Sequence, residues 1–207
     1  MTSKKLTRNY WIIHEEENQF ARTLAIYIRS KMPQPKWHLL IPFKFLYEFL
    51  STRRLGDDLF RNAMFFKIMA LKSTYRLYMD ENPQSLRQEF SDKLQEKLET
   101  LNLNTSKVQE KYVELIDLFV EHYYRLMPAQ GKSYKELLKN GYDGNASEYE
   151  DFLGKAAEIE KEIDAETLEI ARPQMKDSSK LEQNLRIKQE SLKEAREKEV
   201  RRVFYKK

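Results

Sequence analysis

Apolar positions recur at three- and four-residue spacing along most of the chain, which is the period of amphipathic helices. Ile13, Phe20, Leu24 and Tyr27 share one such face and predict a first helix over about 6–31. Glu15, Glu16 and Glu17 fall in its interior and are expected as a solvated or partner-pairing patch. Met32-Pro33-Gln34-Pro35 stops this helix, because a residue before proline avoids the α region.

The next stretch is the most apolar in the chain. From Leu39 to Leu50 only Lys44 and Glu48 are charged, and on a helix these stack into one narrow polar stripe. Leu39, Phe43, Leu46 and Leu50 form one apolar face, while Leu40, Ile41, Phe45, Tyr47 and Phe49 cover most of the remainder. A helix apolar nearly all round needs cover on several sides. Pro42 fits in its first turn if the helix starts near 37–39. The run is shorter than the ~20 residues that cross a bilayer. Its flanks, Trp37 on one side and Arg53 and Arg54 on the other, are the residue types that anchor at lipid headgroups.

Asp57 and Asp58 follow Gly56 and can cap a further helix, on which Phe60, Met64, Ile68, Leu71 and Tyr75 share a face. Between Asp58 and Asp80 every charge is positive: Arg61, Lys67, Lys72 and Arg76. Such a helix is either a core element with a solvated basic face or a surface that meets an anionic partner.

Asn82-Pro83 is a helix start, with a capping side chain and proline at the first helical position. Leu86, Phe90, Leu94 and Leu98 continue it to about 101. Thr105 or Ser106 caps the next helix, to about 127, whose stripe is Val108, Tyr112, Leu115, Phe119 and Tyr123, widened by Ile116 and Val120. A short loop between two such stripes predicts an antiparallel hairpin. Met127-Pro128-Ala129-Gln130-Gly131 interrupts the pattern and marks a division between a bundle over 5–127 and a charged helical arm over 132–207. In the arm Ser133 caps a short helix to about 140, Gly141 to Asn145 turn, and Ser147 with Glu150 reads as a capping box for a helix to about 171. Arg172-Pro173 ends that helix, and the region Asp177 to Ser179 caps a last one. Its apolar stripe is thin (Leu181, Leu185, Leu192 and Val203) and its charges alternate in sign, which suggests a solvated helix with one packing seam or a short coiled coil. The fold class expected is therefore all-α: an antiparallel bundle with a C-terminal arm.

Composition agrees and sharpens the picture. In 207 residues there are 5 Gly and 6 Pro, too few breakers for a many-turned β fold, and 41% apolar residues, enough for a core. No cysteine is present, so disulfides, thiolate nucleophiles, cysteine-ligated zinc and palmitoylation are excluded. The net charge of +4 conceals an asymmetry: residues 29–79 carry 10 Lys/Arg against 3 Asp/Glu, whereas residues 80–207 carry 23 against 27. The basic surplus coincides with the apolar one, which points to an anionic partner for that segment.

Catalytic and metal motifs fail on spacing. A di-metal carboxylate bundle needs Glu-x-x-His, and the residues three before His14, His38 and His122 are Trp11, Pro35 and Phe119. Gly131-Lys132-Ser133 resembles the end of a phosphate loop, but position 126 is Leu126 and no strand precedes it. Asp143-Gly144-Asn145 would place Lys139 at the first position of a calcium loop. Two matches to the glycosylation pattern, at Asn104 and Asn145, follow no secretory leader. No enzyme activity, metal or cofactor is expected. The expectation is a cytoplasmic, membrane-associated adaptor that docks through Trp37, Phe43, Phe45, Arg53, Arg54, Arg61, Lys67, Lys72 and Arg76 on an anionic membrane surface or an acidic protein. A helical partner is expected at 178–207. The alternative is a helical nucleic-acid-associated or regulatory protein, since basic and aromatic residues interleave at Lys36-Trp37 and Tyr75-Arg76-Leu77-Tyr78.

Overall fold

The computed structural model describes residues 3–31, 55–101, 103, 105–174 and 178–205, with backbone alone for 55–63 and Gln174. Every regular element among them is helical: α1 (Ser3–Lys31), α2 (Leu55–Tyr78), α3 (Pro83–Thr100), α4 (Ser106–Leu126), α5 (Tyr134–Gly141), α6 (Ala146–Ala171) and α7 (Ser179–Val200). A 3₁₀ turn at Arg172–Gln174 follows α6, and a π-helical turn at Arg201–Tyr205 follows α7.

Local chemistry sets most of the boundaries. Asn82 caps α3 by accepting from the Gln84 N–H, with Pro83 in the first turn. Thr105 caps α4 through the Val108 N–H, and Ser133 caps α5 through the Glu136 N–H. At α6 the cap is Asn145, accepting from the Glu148 N–H, two residues before the serine that the sequence favours. Asn145 wins because Gly144 (φ 75°) and Asp143 (φ 50°) hold left-handed backbone that delivers the chain to that position. Ser178 makes no side-chain cap on α7; its hydroxyl instead donates to Glu182 at 2.8 Å.

Five long helices close into a ring in the order α1, α2, α4, α6, α7 and back to α1. Side-chain pairs give their directions. Thr7 with Tyr75 and Glu17 with Lys67 make α1 and α2 antiparallel. Phe66 with Tyr112 and Tyr78 with Tyr124 make α2 and α4 parallel, because α3 returns the chain between them. Lys111 with Glu162 and Arg125 with Glu148 make α4 and α6 antiparallel. Tyr27 with Glu194 and Glu16 with Arg202 bring α7 back against α1. The described residues thus form an all-α bundle whose ring is completed by α6 and α7, with α3 packed against α2 and α4.

The buried cluster runs through the division expected at 128–131. It joins Leu6 and Ile13 of α1 to Tyr149, Phe152 and Ile159 of α6 and to Val200 and Val203 at the end of the chain. Leu181 and Leu185 are buried as well. Leu181, Leu185 and Val203 of that thin stripe are buried, joined by Val200, while Leu192 stays half-buried. On α1 the buried face is Leu6, Asn9, Ile13, Glu17, Ala21, Ala25 and Ile28, which replaces the face expected through Phe20, Leu24 and Tyr27. Small residues at 21 and 25 allow close helix approach there, and the larger side chains lie at its edges.

Removing residues 179–207 is therefore expected to destabilise the whole bundle. Four buried aliphatic side chains at ~1.5–3 kcal/mol each would lower the thermal midpoint by roughly 10 °C or more in a chain of this size. Calorimetry of the truncated chain checks this, and an unchanged midpoint would restore a separable arm.

Candidate functional site

At the centre of the ring the five long helices each contribute one polar side chain. Glu17 of α1 is 6% exposed, and its Oε2 meets Lys67 Nζ of α2 at 2.5 Å. Its Oε1 accepts from Tyr123 Oη of α4 at 2.9 Å. Tyr149 Oη of α6 donates to Glu199 Oε2 of α7 at 2.7 Å. The Lys67 ammonium also lies over the Phe20 and Phe119 rings, at 4.8 and 5.3 Å from their centroids. Burial pushes the phenols of Tyr123 and Tyr149 well above their ordinary range, so both act as donors. Burial also raises the Glu199 carboxyl, against the hydrogen bond from Tyr149, and the charge of Glu17 adds to that rise.

His122 sits beside this centre at 2% exposure. Its ring stacks on Phe152 with centroids 4.3 Å apart, and Nδ1 shares a 2.8 Å hydrogen bond with Tyr142 Oη. Burial, then the charges of Lys67 and Arg125, hold its pKa well below the usual imidazole value. Among the described residues no group of three or more His, Asp or Glu is placed to hold a metal ion. The Gly131-Lys132-Ser133 loop closes on its own helix: the Lys132 N–H donates to Glu136 Oε2 at 2.7 Å, and Ser133 Oγ accepts from the Glu136 N–H at 3.3 Å. Gly131 is required there, since an added Cβ would lie 2.8 Å from the Glu136 Cβ.

The residues expected to form the docking surface are dispersed. Trp37, Phe43, Phe45, Arg53 and Arg54 lie outside the described residues, as does the whole apolar run at 39–50, and Arg61 is described in backbone only. Lys67 is a correction: it points into the ring and is neutralised by Glu17, so it offers no free charge to a partner. Its place at the centre follows from α2 turning Met64, Leu71 and Thr74 inward on the same side. Arg76 is bridged to Glu81 at 2.8 Å and to Glu89 at 2.7 Å. Those carboxylates hold its guanidinium charged, and Lys93 together with Arg76 brings Glu89 down to about 2. Lys72 alone of the side chains named here is exposed and pairs with no carboxylate of the described residues.

A surface that periodicity did not single out lies on α1. Trp11 is 59% exposed and Ile26 is 71% exposed. At 100° per residue they share a sector about 60° wide with Lys4, Arg8, Arg22 and Arg29, all exposed. Arg8 donates to the Gly131 carbonyl at 2.9 Å and to Asn9, bonds that leave its charge intact. Trp11 packs edge-on to Tyr10 and His14, with centroids at 5.2 and 5.4 Å, and Tyr10 meets Tyr75 of α2 at 5.1 Å. Lys72 lies one turn from Tyr75, so the antiparallel register of α1 and α2 sets it level with Trp11. The signal in the sequence was Trp11 with Arg8 three residues and Lys4 seven residues before it, spacings that put all three on one helical face.

No protein-family model matches this chain, and no curated protein or solved structure matches it. Among the described residues no helix is long and apolar enough to cross a membrane.

The central network carries a pH signature. A carboxyl whose folded-state pKa is raised stabilises the fold fully below its unfolded value, and this is lost as pH rises through the folded value. For Glu199 the loss begins above the ordinary 4.5. Glu199→Gln keeps an acceptor for Tyr149 and removes the charge. It is expected to raise the thermal midpoint near pH 7.5 and leave it unchanged near pH 4. Equal effects at both pH values would show that Glu199 ionises as freely in the fold as outside it.

Proposed function

We propose that this protein is a non-catalytic helical docking module that settles on an anionic membrane surface through the outward face of α1. The observation that carries the reading is the exposed Trp11 within a basic stripe. Indole at an interface combined with surrounding cations suits the headgroup layer of an anionic bilayer. The stripe from Lys4 to Arg29 runs about 37 Å at 1.5 Å per residue, long enough to lie flat on a surface. Glu15 is the one acidic residue of that sector, and Lys72 adds a cation from α2.

The alternatives are weaker on the same observations. An acidic protein partner would be met by the same cations, but it gives no reason for an indole and an isoleucine at opposite ends of the stripe. Single-stranded nucleic acid would use exposed aromatic rings as stacking platforms. Here Tyr10 and Tyr75 are half-buried and face each other, which leaves Trp11 without the run of platforms that such binding uses.

Each cation at an anionic surface is worth ~1 kcal/mol. The combined variant Lys4→Gln, Arg8→Gln, Arg29→Gln and Lys72→Gln is expected to weaken binding to phosphatidylserine-containing vesicles by roughly 100-fold or more. Its folding should survive, because exposed charges contribute little stability. Trp11→Ser is expected to weaken binding further and, made in a Trp37→Phe background that isolates the Trp11 signal, to abolish the blue shift of tryptophan fluorescence on vesicle addition. Wild-type protein that sediments equally with neutral and anionic vesicles would overturn the reading. If the protein instead shifted a nucleic-acid probe and ignored both vesicle types, the alternative would take its place.

A further inference from the structure

The outer surface between α6 and α7 is an open groove of about 690 Å³ with a mainly apolar floor. That lies within the ~300–1,000 Å³ range of clefts that hold small molecules. Leu153 and Ala157 of α6 and Leu192 and Val200 of α7 line it. Gly154 lies on the same wall, and a Cβ built on it would meet nothing within 4 Å. The two helices therefore diverge over this face, although their inner faces are packed.

Most of the charges along the groove are paired with one another, and Glu150, at the end away from Lys161 and Lys193, makes no ion pair with a cation of the described residues. Inside the groove, Asp164 is held by Lys188 and by Gln189, the latter at 3.0 Å, and Glu160 takes both Arg196 nitrogens at 2.8 and 2.9 Å. At the rim Glu190 is met by Arg186 and Glu197 by Arg201, each within its own helix. The pairs 164 with 188, 160 with 196 and 172 with 182 fix the antiparallel register. That register brings Lys161 and Lys193 to one level on the two walls. Neither makes an ion pair with a carboxylate of the described residues. Two lysines at one level on the walls of an apolar trough, neither paired with a carboxylate of the described residues, are complementary to one anion with an apolar body.

We propose that this groove binds a long-chain carboxylate, its head group between Lys161 and Lys193 and its alkyl chain along Leu153, Ala157, Leu192 and Val200. The lysines supply charge and the open space over Gly154 supplies room for the chain. The site lies on α6 and α7, apart from the α1 face, and does not depend on membrane docking.

The test is titration calorimetry of the full chain with dodecanoate below its micelle-forming concentration, beside dodecanol as the uncharged control. Dodecanoate is expected to bind once per chain and at least tenfold more tightly than dodecanol. Lys161→Gln with Lys193→Gln should remove that preference and leave dodecanol binding as it was. Gly154→Leu fills the trough with a residue of higher helix propensity, so the fold is retained while both ligands are excluded. Unchanged dodecanoate binding in Gly154→Leu, equal affinity for acid and alcohol in the wild type, or no binding at all would each overturn the proposal. A dimer in sedimentation that Gly154→Leu disrupts, without dodecanoate binding, would assign the groove to a second copy of the chain and would overturn it as well.

Discussion

A buried ion pair holds this bundle in register. Glu17 receives Lys67 from α2 and the Tyr123 hydroxyl from α4, so one carboxylate ties three helices at a single level. Burying such a charge without partners would cost several kcal/mol, and the arrangement is tolerable only because both oxygens are occupied. The ring geometry follows from that requirement. Parallel α2 and α4 present Lys67 and Tyr123 side by side, and α3 is the length of chain that makes the parallel pairing feasible. On the far side Tyr149 and Glu199 bring α6 and α7 to the same centre.

The same constraint decides which charges remain for a partner. The segment 29–79 carries the basic surplus, yet its described cations are largely committed. Lys67 is spent on Glu17, Arg76 on Glu81 and Glu89, and Lys31 on Glu194. Net charge along the sequence thus overstates the free charge on the described side chains of α2. The cations that face outward and pair with no carboxylate of the described residues include Lys4, Arg8 and Arg29 on α1, beside the exposed indole of Trp11. The proposed docking surface therefore moves one helix towards the N-terminus.

Helix identity was legible because the apolar period and the caps agree: Asn82, Thr105 and Ser133 each cap the helix that the pattern begins. The capping box at Ser147 misled because a left-handed Asp143-Gly144 pair set the entry two residues earlier. Glu17 was legible in position but not in role. It continues the Leu6, Ile13 spacing, yet three consecutive glutamates look like a solvated patch until the partner lysine, fifty residues away, is placed. The burial of the last helix was hidden for a related reason. A thin stripe signals weak packing only when the facing surfaces are unknown, and α1 and α6 offer faces that cover Leu181, Leu185, Val200 and Val203. The α6–α7 groove could not be read at all, because it depends on how far two helices diverge and on which lysines lack partners.

A double-mutant cycle on Glu17→Gln and Lys67→Met, followed by urea unfolding and by vesicle sedimentation, tests the central claim most directly. Breaking a buried pair by removing one partner costs about 3–5 kcal/mol, and the loss should be strongly non-additive in the double variant. Vesicle binding of Lys67→Met, where it remains folded, should equal that of the wild type. Full stability in Lys67→Met together with weakened vesicle binding would contradict the account and return Lys67 to an outer docking face.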